Sequence, residues 1–183
     1  MAHGYNGKIL VVDLTGGTHE IKEPDERWYR TYWGGTGIVA QTLLSEAVHE
    51  VDPLGPENVM IFACSVVTGA PISGFNRYSV GAKSPLTGGF ARTEAAGFFG
   101  PELKFAGYDG IMITGKAKNP VYLRIENNSV TLEDAGALVG KGIFETEEWL
   151  KDQIDVEAKT MAIGPAGENL IDFACIGSES YRQ

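Results

Sequence analysis

The stretch KILVVDLTGGTHEIK, residues 8–22, decides the fold class of this chain. Its first part, residues 8–14, is an apolar run of β-formers and predicts a strand. Thr15-Gly16-Gly17 is a turn signal, and residues 18–22 alternate in polarity, which predicts a strand that returns beside the first. The chain therefore opens on a β-hairpin.

Short strands and glycine-rich turns continue through the rest of the sequence. Further strands are predicted at residues 59–67, 77–82, 110–114, 121–125, 130–133, 160–163 and 170–176. Helices are predicted to open at Pro24-Asp25, to run from residue 37 to residue 47, to begin at Ala95 or Phe98, and to cover residues 142–155. Because strands and helices do not alternate strictly, this order favours an α+β fold of β-rich mixed sheets with a few helices. No long linker interrupts it, so residues 1–183 are predicted to form one domain.

Composition and charge exclude several classes of protein. The net charge of −9 argues against nucleic acid as a partner, because phosphate contacts need a basic patch. No apolar run reaches the roughly 18–20 residues that span a bilayer, and the first residues lack the pattern of a secretory signal. We therefore expect no membrane partner and a cytoplasmic location.

The two cysteines, Cys64 and Cys175, each lie in an apolar run and are predicted to be buried free thiols. Without a CxxC spacing they cannot hold an iron–sulfur cluster by themselves, and the three scattered histidines predict no metal site.

Two short motifs could bind an anion. Gly34-Gly35-Thr36-Gly37 precedes a predicted helix, where free N–H groups attract phosphate, but it is neither a full G-x-G-x-x-G nor a P-loop. Arg77 opens a predicted strand, and a guanidinium can donate two parallel hydrogen bonds to a phosphate. Taken singly, the first motif favours a structural turn and the second an ordinary surface arginine.

Other polar residues predict structural roles. Gly107 is predicted to end a helix, with Lys104 in the last turn. Glu168 lies in a tight connection and is predicted to bond nearby backbone N–H groups rather than to act as a base. No nucleophile with its base and no close carboxylate pair is evident, so the residues alone predict a glycine-rich α+β domain with a possible anion site.

Seven ordered motifs together resemble the N-terminal domain of the tungsten-containing aldehyde:ferredoxin oxidoreductase family. They are GYxGKILxVDLT from residue 4, GGxG from 34, VDPLxPEN from 51, NRY from 76, KSPLTG from 83, GxELKFAGYD from 100 and IGPAGENL from 163. The resemblance implies a β-rich domain on which a tungsten, or molybdenum, bis-pterin cofactor lies, with Mg²⁺ bridging the pterin phosphates. It also implies oxidation of a small aldehyde to a carboxylic acid, with electrons passed to ferredoxin or another electron-transfer subunit.

The family's 4Fe-4S cluster and its acid and base residues lie in later domains, beyond Gln183. We therefore expect this chain to be an excised N-terminal domain, rather than the product of a split gene, and to be inactive alone, and we expect the full-length protein to be a homodimer.

The resemblance also assigns cofactor-binding residues. They are Arg77 for a pterin phosphate, the backbone-rich loop Thr93, Glu94, Ala95, Ala96 and Gly97 along the pterin, and Arg182 at the start of the next glycine-rich segment. Glu94 stands where many relatives have asparagine, and Ala96 where many have glycine. A carboxylate there must turn away from the phosphates, pair with a cation or bind Mg²⁺.

Two other functions stay open. One is an accessory, non-catalytic subunit that keeps the fold, and the other is a nucleotide-binding domain that uses residues 34–37. A glycine-rich segment and a C-x2-C-x3-C later in the native gene would favour the enzyme.

Overall fold

The computed structural model describes residues 4–46 and 48–179. The strands within these ranges are β1 (Ile9–Asp13), β2 (Thr18–Lys22), β3 (Met60–Cys64), β4 (Tyr78–Lys83), β5 (Phe90–Ala95), β6 (Gly110–Thr114), β7 (Val121–Glu126), β8 (Ser129–Asp134), β9 (Met161–Ile163) and β10 (Ile176–Ser178). The helices are α1 (Glu26–Tyr32), α2 (Thr36–Ser45), α3 (Phe99–Phe105), α4 (Ile143–Gln153) and α5 (Pro165–Glu168), with 3₁₀ turns at Val48–Glu50 and Gly136–Leu138.

One six-stranded sheet organises the first two thirds of the chain, in the order β2-β1-β6-β3-β4-β5. The predicted hairpin is confirmed, with Ile9 opposite Lys22 and Asp13 opposite Thr18. Strands β1 and β6 are parallel, whereas the other neighbours in the sheet are antiparallel. Two smaller sheets are formed by β7 with β8 and by β9 with β10. The mixed sheets and the few helices confirm the predicted α+β class.

Strand β3 lies at the centre of the core and is covered on both faces. Ile61 and Ala63 pack with the α2 residues Ile38 and Val39 on one side of the sheet. On the other side, Phe62 and Cys64 pack with residues of α3, β4 and β8. Burial on both faces explains why this segment is a continuous apolar run. The predicted strand was too long, because the chain turns at Ser65, whose carbonyl accepts a hydrogen bond from the Thr68 N–H.

The prediction and the structure also differ at strand β5, at the short helix α5 and at residues 170–175. Strand β5 was missed, because its Phe90–Ala95 segment is largely exposed and shows no apolar alternation. Residues 170–176 were predicted as a strand, but residues 170–175 form turns and irregular backbone, in which Ile171 N–H donates to Ala166 O and Ala174 N–H to Ile171 O, and only Ile176 belongs to a strand, β10. The expected burial of Cys175 was wrong for the same reason: only Cys64 is buried.

A buried ion pair joins the N-terminal residues to the end of α3. Lys104 Nζ lies 3.0 Å from Asp109 Oδ1, and the two side chains are 1% and 2% exposed. Asp109 also accepts hydrogen bonds from the backbone N–H groups of Asn6 and Gly7 and from the Tyr29 hydroxyl. Lys104 was predicted in the last turn of this helix, but its burial and its partner were not.

The predicted roles of Gly107 and Glu168 are confirmed. Gly107 follows α3 with φ +99°, as expected for a helix-ending glycine. Glu168 accepts hydrogen bonds from the Gly140 N–H at 2.9 and 3.0 Å, the structural role predicted for it. None of the helices in residues 4–46 and 48–179 is long and apolar enough to cross a membrane.

Candidate functional site

An open groove lies beside the β4–β5 edge of the large sheet. Its volume is about 480 Å³. It is lined by residues 32–37, by Ser65, Val67 and Thr68, by residues 74–75 and 77–79, and by Glu94. The groove therefore brings together the glycine motif, Arg77 and part of the predicted cofactor loop, which are far apart in the sequence.

The glycine motif forms one wall of the groove. Gly34 and Gly35 have φ values of +109° and +50°, which favour glycine. Gly35 N–H donates to Cys64 O at 2.9 Å and so attaches the turn to the end of β3. A Cβ at Gly37 would lie 2.0 Å from Tyr32 O, so close packing alone requires glycine there. Gly37 therefore has the structural role that the sequence favoured for this motif. Gly35, by contrast, is the N-cap of α2 and has no side chain to cap the helix, so the start of α2 faces the groove uncapped.

Arg77 stands directly before β4 and lines the groove. Its side chain is exposed, and among residues 4–46 and 48–179 it makes no hydrogen bond or ion pair. Its backbone carbonyl, by contrast, accepts a 2.6 Å hydrogen bond from Thr68 Oγ1. A guanidinium on an anchored backbone, with its donors unused, is suited to bind an anion.

The predicted cofactor loop is for the most part a strand. Residues 93–95 belong to β5, and Ala96 and Gly97 follow it. Register places Glu94 opposite Ser79 and Ala95 opposite Tyr78. Because paired residues of antiparallel strands share a face, Glu94 lies on the groove face, and Thr93 and Ala95 lie on the other. Ala95 packs on the core cluster of that second face, and Gly97 is buried with φ +124°.

Glu94 pairs with a cation, which is one of the three arrangements that the sequence left open. The Arg92 guanidinium forms an ion pair with the Glu94 carboxylate. Arg92 Nε also donates to Thr36 Oγ1 at 2.7 Å, and Thr36 Oγ1 lies 3.3 Å from Ser79 Oγ. A polar chain thus runs from Glu94 to the start of α2. Sequence reasoning missed Arg92, although its position two residues before Glu94 puts both side chains on one face of a strand.

The last predicted site residue, Arg182, lies outside the described residues. Glu179 lies next to the residues that follow Gly97, because its carboxylate accepts hydrogen bonds from Phe98 N–H at 2.5 Å and Phe99 N–H at 2.6 Å. Within the described part of the chain, no group of three or more histidine, cysteine, aspartate or glutamate side chains could hold a metal ion. The groove can therefore contribute a cation, hydroxyls and backbone N–H groups to a ligand.

This fold occurs within a larger oxidoreductase of known structure. One matching chain is from the active site complex BamBC of benzoyl coenzyme A reductase in complex with 1,5-dienoyl-CoA. The TM-score is 0.93 and the identity 41%, over 97% of this chain and 27% of that one. The class of protein is thus an α+β domain of the kind found within that larger chain.

The family model for the aldehyde ferredoxin oxidoreductase N-terminal domain matches residues 9–183. The chain belongs to this family, as the sequence motifs predicted.

Curated relatives agree with the family and are much longer than this chain. The tungsten-containing aldehyde ferredoxin oxidoreductase of Pyrococcus abyssi is 44% identical over 98% of the chain, and that of Pyrococcus furiosus is 40% identical over the same share. The WOR-like subunit of aliphatic sulfonate oxidoreductase from Pyrococcus furiosus is 36% identical over 95% of the chain. The chain spans 30% of the length of each of these relatives.

Proposed function

We propose that residues 1–183 form the N-terminal domain that holds the cofactor of a tungsten, or molybdenum, bis-pterin oxidoreductase. The observation that carries the proposal is Arg77, an exposed guanidinium without a side-chain partner in the described residues, at the edge of a groove of about 480 Å³. Tungsten enters through the names of the relatives that are 40–44% identical to the chain. A pterin phosphate is the anion that Arg77 would bind in such a protein.

The residues around the groove fit a flat, phosphate-bearing cofactor. Arg77 would donate two hydrogen bonds to a phosphate. Ala96 and Gly97 would let the backbone approach the ring closely, since neither has a long side chain. Glu94 is compatible with nearby phosphates because Arg92 neutralises it. Thr93, Ala95 and Arg182 complete the proposed set through the family resemblance, as does Mg²⁺ between the phosphates.

The cofactor, when bound, would supply the two-electron oxidation of an aldehyde to a carboxylic acid. The groups of this chain would bind and orient the cofactor. Arg77 would bind a phosphate, and residues 34–37 would contact the cofactor beside the start of α2. The hydroxyls of Thr36 and Ser79, which lie in the polar chain that includes Arg92 and Glu94, line the same groove. The chain spans 30% of the length of its relatives. We therefore propose that the 4Fe-4S cluster, the acid and base groups and the homodimer contacts belong to the rest of the whole protein. Ferredoxin, or another electron-transfer subunit, would accept the electrons in the cytoplasm.

A second substrate class is favoured by one observation. The benzoyl coenzyme A reductase chain, which has a TM-score of 0.93, is 41% identical to this one, and the aldehyde oxidoreductases are 40–44% identical. Reduction of an aromatic CoA thioester is therefore the alternative reaction of the whole protein. Activity of the anaerobically purified whole protein with aldehydes and a ferredoxin, against activity with an aromatic CoA thioester and a strong reductant, separates the two.

The experiment that tests the cofactor role replaces Arg77 with alanine in the whole protein. We expect the tungsten and pterin content to fall about tenfold or more, because one bidentate charged contact is lost. The stability of the cofactor-free protein should change by less than about 0.5 kcal/mol, since Arg77 is a surface residue. Arg27→Ala, an exposed arginine on α1 outside the groove, is the matched control.

Full tungsten and pterin loading of Arg77→Ala would remove Arg77 from the proposal. A wild-type protein that contains neither, when purified under conditions that load a relative, would instead favour the accessory subunit.

A further inference from the structure

We propose that Thr68 is a positioning residue that sets the place of Arg77 in the groove. This inference deepens the proposed function and rests on it, because it concerns how the proposed anion contact is held. Its basis is one buried hydroxyl that links the two ends of the loop formed by residues 65–77.

The hydroxyl of Thr68 is used fully, once as an acceptor and once as a donor. Thr68 is 2% exposed. Its Oγ1 accepts a 2.9 Å hydrogen bond from Ser65 N–H and donates a 2.6 Å hydrogen bond to Arg77 O. The same side chain therefore attaches the start of the loop to its end, nine residues from Thr68 along the chain.

Packing fixes the orientation of this hydroxyl. A Cβ at Gly100, in α3, would lie 3.2 Å from Thr68 Cγ2 and 3.3 Å from Asn76 O. The methyl group thus fills the space beside the helix, which leaves Oγ1 directed to the backbone. The neighbouring Gly69 N–H donates to Phe75 O at 2.8 Å, which adds a second hydrogen bond across the same loop, nearer to its tip.

The Ser65 end of the loop is attached to the core. Ser65 forms an isolated bridge with Gly34, and its carbonyl lies 3.5 Å from the buried Lys104 Nζ. Lys104 is held in turn by Asp109 at 3.0 Å and by Gly4 O at 2.6 Å. A continuous set of contacts therefore runs from the buried ion pair through Ser65 and Thr68 to the backbone of Arg77.

The placement matters because a bidentate contact tolerates errors of only about 0.5 Å. The Arg77 side chain has no partner among the described residues that could hold it, so its position depends on its backbone. Valine at position 68 has the shape of threonine but neither accepts from Ser65 nor donates to Arg77. A valine side chain at position 68 would keep the packing of the loop, but the backbone at Arg77 would lose its hydrogen bond to position 68.

The test compares Thr68→Val and Thr68→Ser in the whole protein. Two quantities are measured: the tungsten and pterin content, and the affinity of the cofactor-free protein for inorganic phosphate by calorimetry. We expect Thr68→Val to lower both about tenfold, and Thr68→Ser to retain both because it keeps the hydroxyl. Thr146→Val, at a buried threonine of α4 away from the groove, controls for the loss of a buried hydroxyl and should leave both unchanged.

The outcomes separate this inference from the function on which it rests. If Arg77→Ala lowers cofactor content and phosphate affinity while Thr68→Val keeps both, the positioning role is overturned and the cofactor role stands. If Arg77→Ala also keeps both, the anion site itself fails. Should Thr68→Val not fold, Thr68→Ala takes its place, since alanine also lacks the hydroxyl, and an unchanged phosphate affinity there would equally overturn the positioning role.

Discussion

Two ion pairs, one buried and one exposed to solvent, are expected to have different roles: the first in stability and the second in binding. Lys104 and Asp109 form a pair whose side chains are 1% and 2% exposed. Arg92 and Glu94 form a pair at the groove whose side chains are 37% and 38% exposed. The chemistry of the two pairs is similar, but their surroundings differ.

The buried pair has no capacity left for a ligand. Asp109 receives hydrogen bonds from backbone N–H groups, from the Tyr29 hydroxyl and from Lys104. A buried charge is tolerated only when it is paired and hydrogen-bonded in this way. The exposed pair is different, because within residues 4–46 and 48–179 Arg92 bonds only Glu94 and Thr36 and has further donors. A ligand could therefore change the second pair and not the first.

The largest expected effect is on the buried pair. Lys104→Met removes the cation and leaves Asp109 buried without its charge partner, which should lower the free energy of unfolding by about 3–5 kcal/mol. Hydrogen exchange of the β1 and β6 amides in the whole protein measures this loss, because both strands adjoin the pair. Lys22→Met, which breaks the exposed pair with Glu46, should cost less than about 1 kcal/mol. A loss for Lys104→Met as small as that of the control would mean that burial does not distinguish the pairs.

The next effect concerns pH and Cys64, which lies beside the buried pair. Burial raises the pKa of the Cys64 thiol from 9.0 to about 12, with Lys104 opposing and Asp109 adding to the shift. The unfolded thiol ionises first, so this contribution to stability is complete below about pH 9 and is lost as the pH rises towards 12. Unfolding midpoints of the wild type and of Cys64→Ala, measured between pH 8 and pH 11, should converge or cross as the pH rises. A constant difference between the two proteins would contradict the assignment.

The smallest effect on stability is expected at the exposed pair, where binding should respond instead. Arg92→Ala should change the free energy of unfolding by less than about 1 kcal/mol. It leaves the Glu94 carboxylate uncompensated in the groove, so phosphate affinity should fall several-fold. Adding Glu94→Gln should restore part of that affinity, and a double-mutant cycle measures the coupling. Equal phosphate affinity in all four proteins would show that this pair does not affect the anion site.

Some of the fold could be predicted because the signal was local. The hairpin of residues 8–22 has its turn glycines beside two short strands, and β6 has the predicted bounds of residues 110–114. Strand β5 could not be predicted, since its side chains are largely exposed and its pairing with β4 is decided by tertiary contacts. The prediction for residues 170–175 was wrong for the opposite reason. Their apolar side chains suggested a buried strand, but Leu170, Ile171 and Phe173 are exposed.

The candidate site divides in the same manner. Arg77 and the residue types around it could be found from the sequence, because the seven motifs occur in the same order as in the family that they resemble. The partner of Glu94 and the attachment of Arg77 could not, because Arg92 reaches Thr36 across 56 residues and Thr68 bonds a backbone carbonyl that any residue would present.

The sequence alone determined the α+β class, the family and the candidate arginine, because these depend on local patterns and on ordered motifs. Only the tertiary structure decided which side chains share the groove, that Glu94 is neutralised by Arg92, and that Lys104 is buried. The physical reason is that hydrogen bonds and burial depend on distances between segments far apart in the chain, which residue spacing does not record.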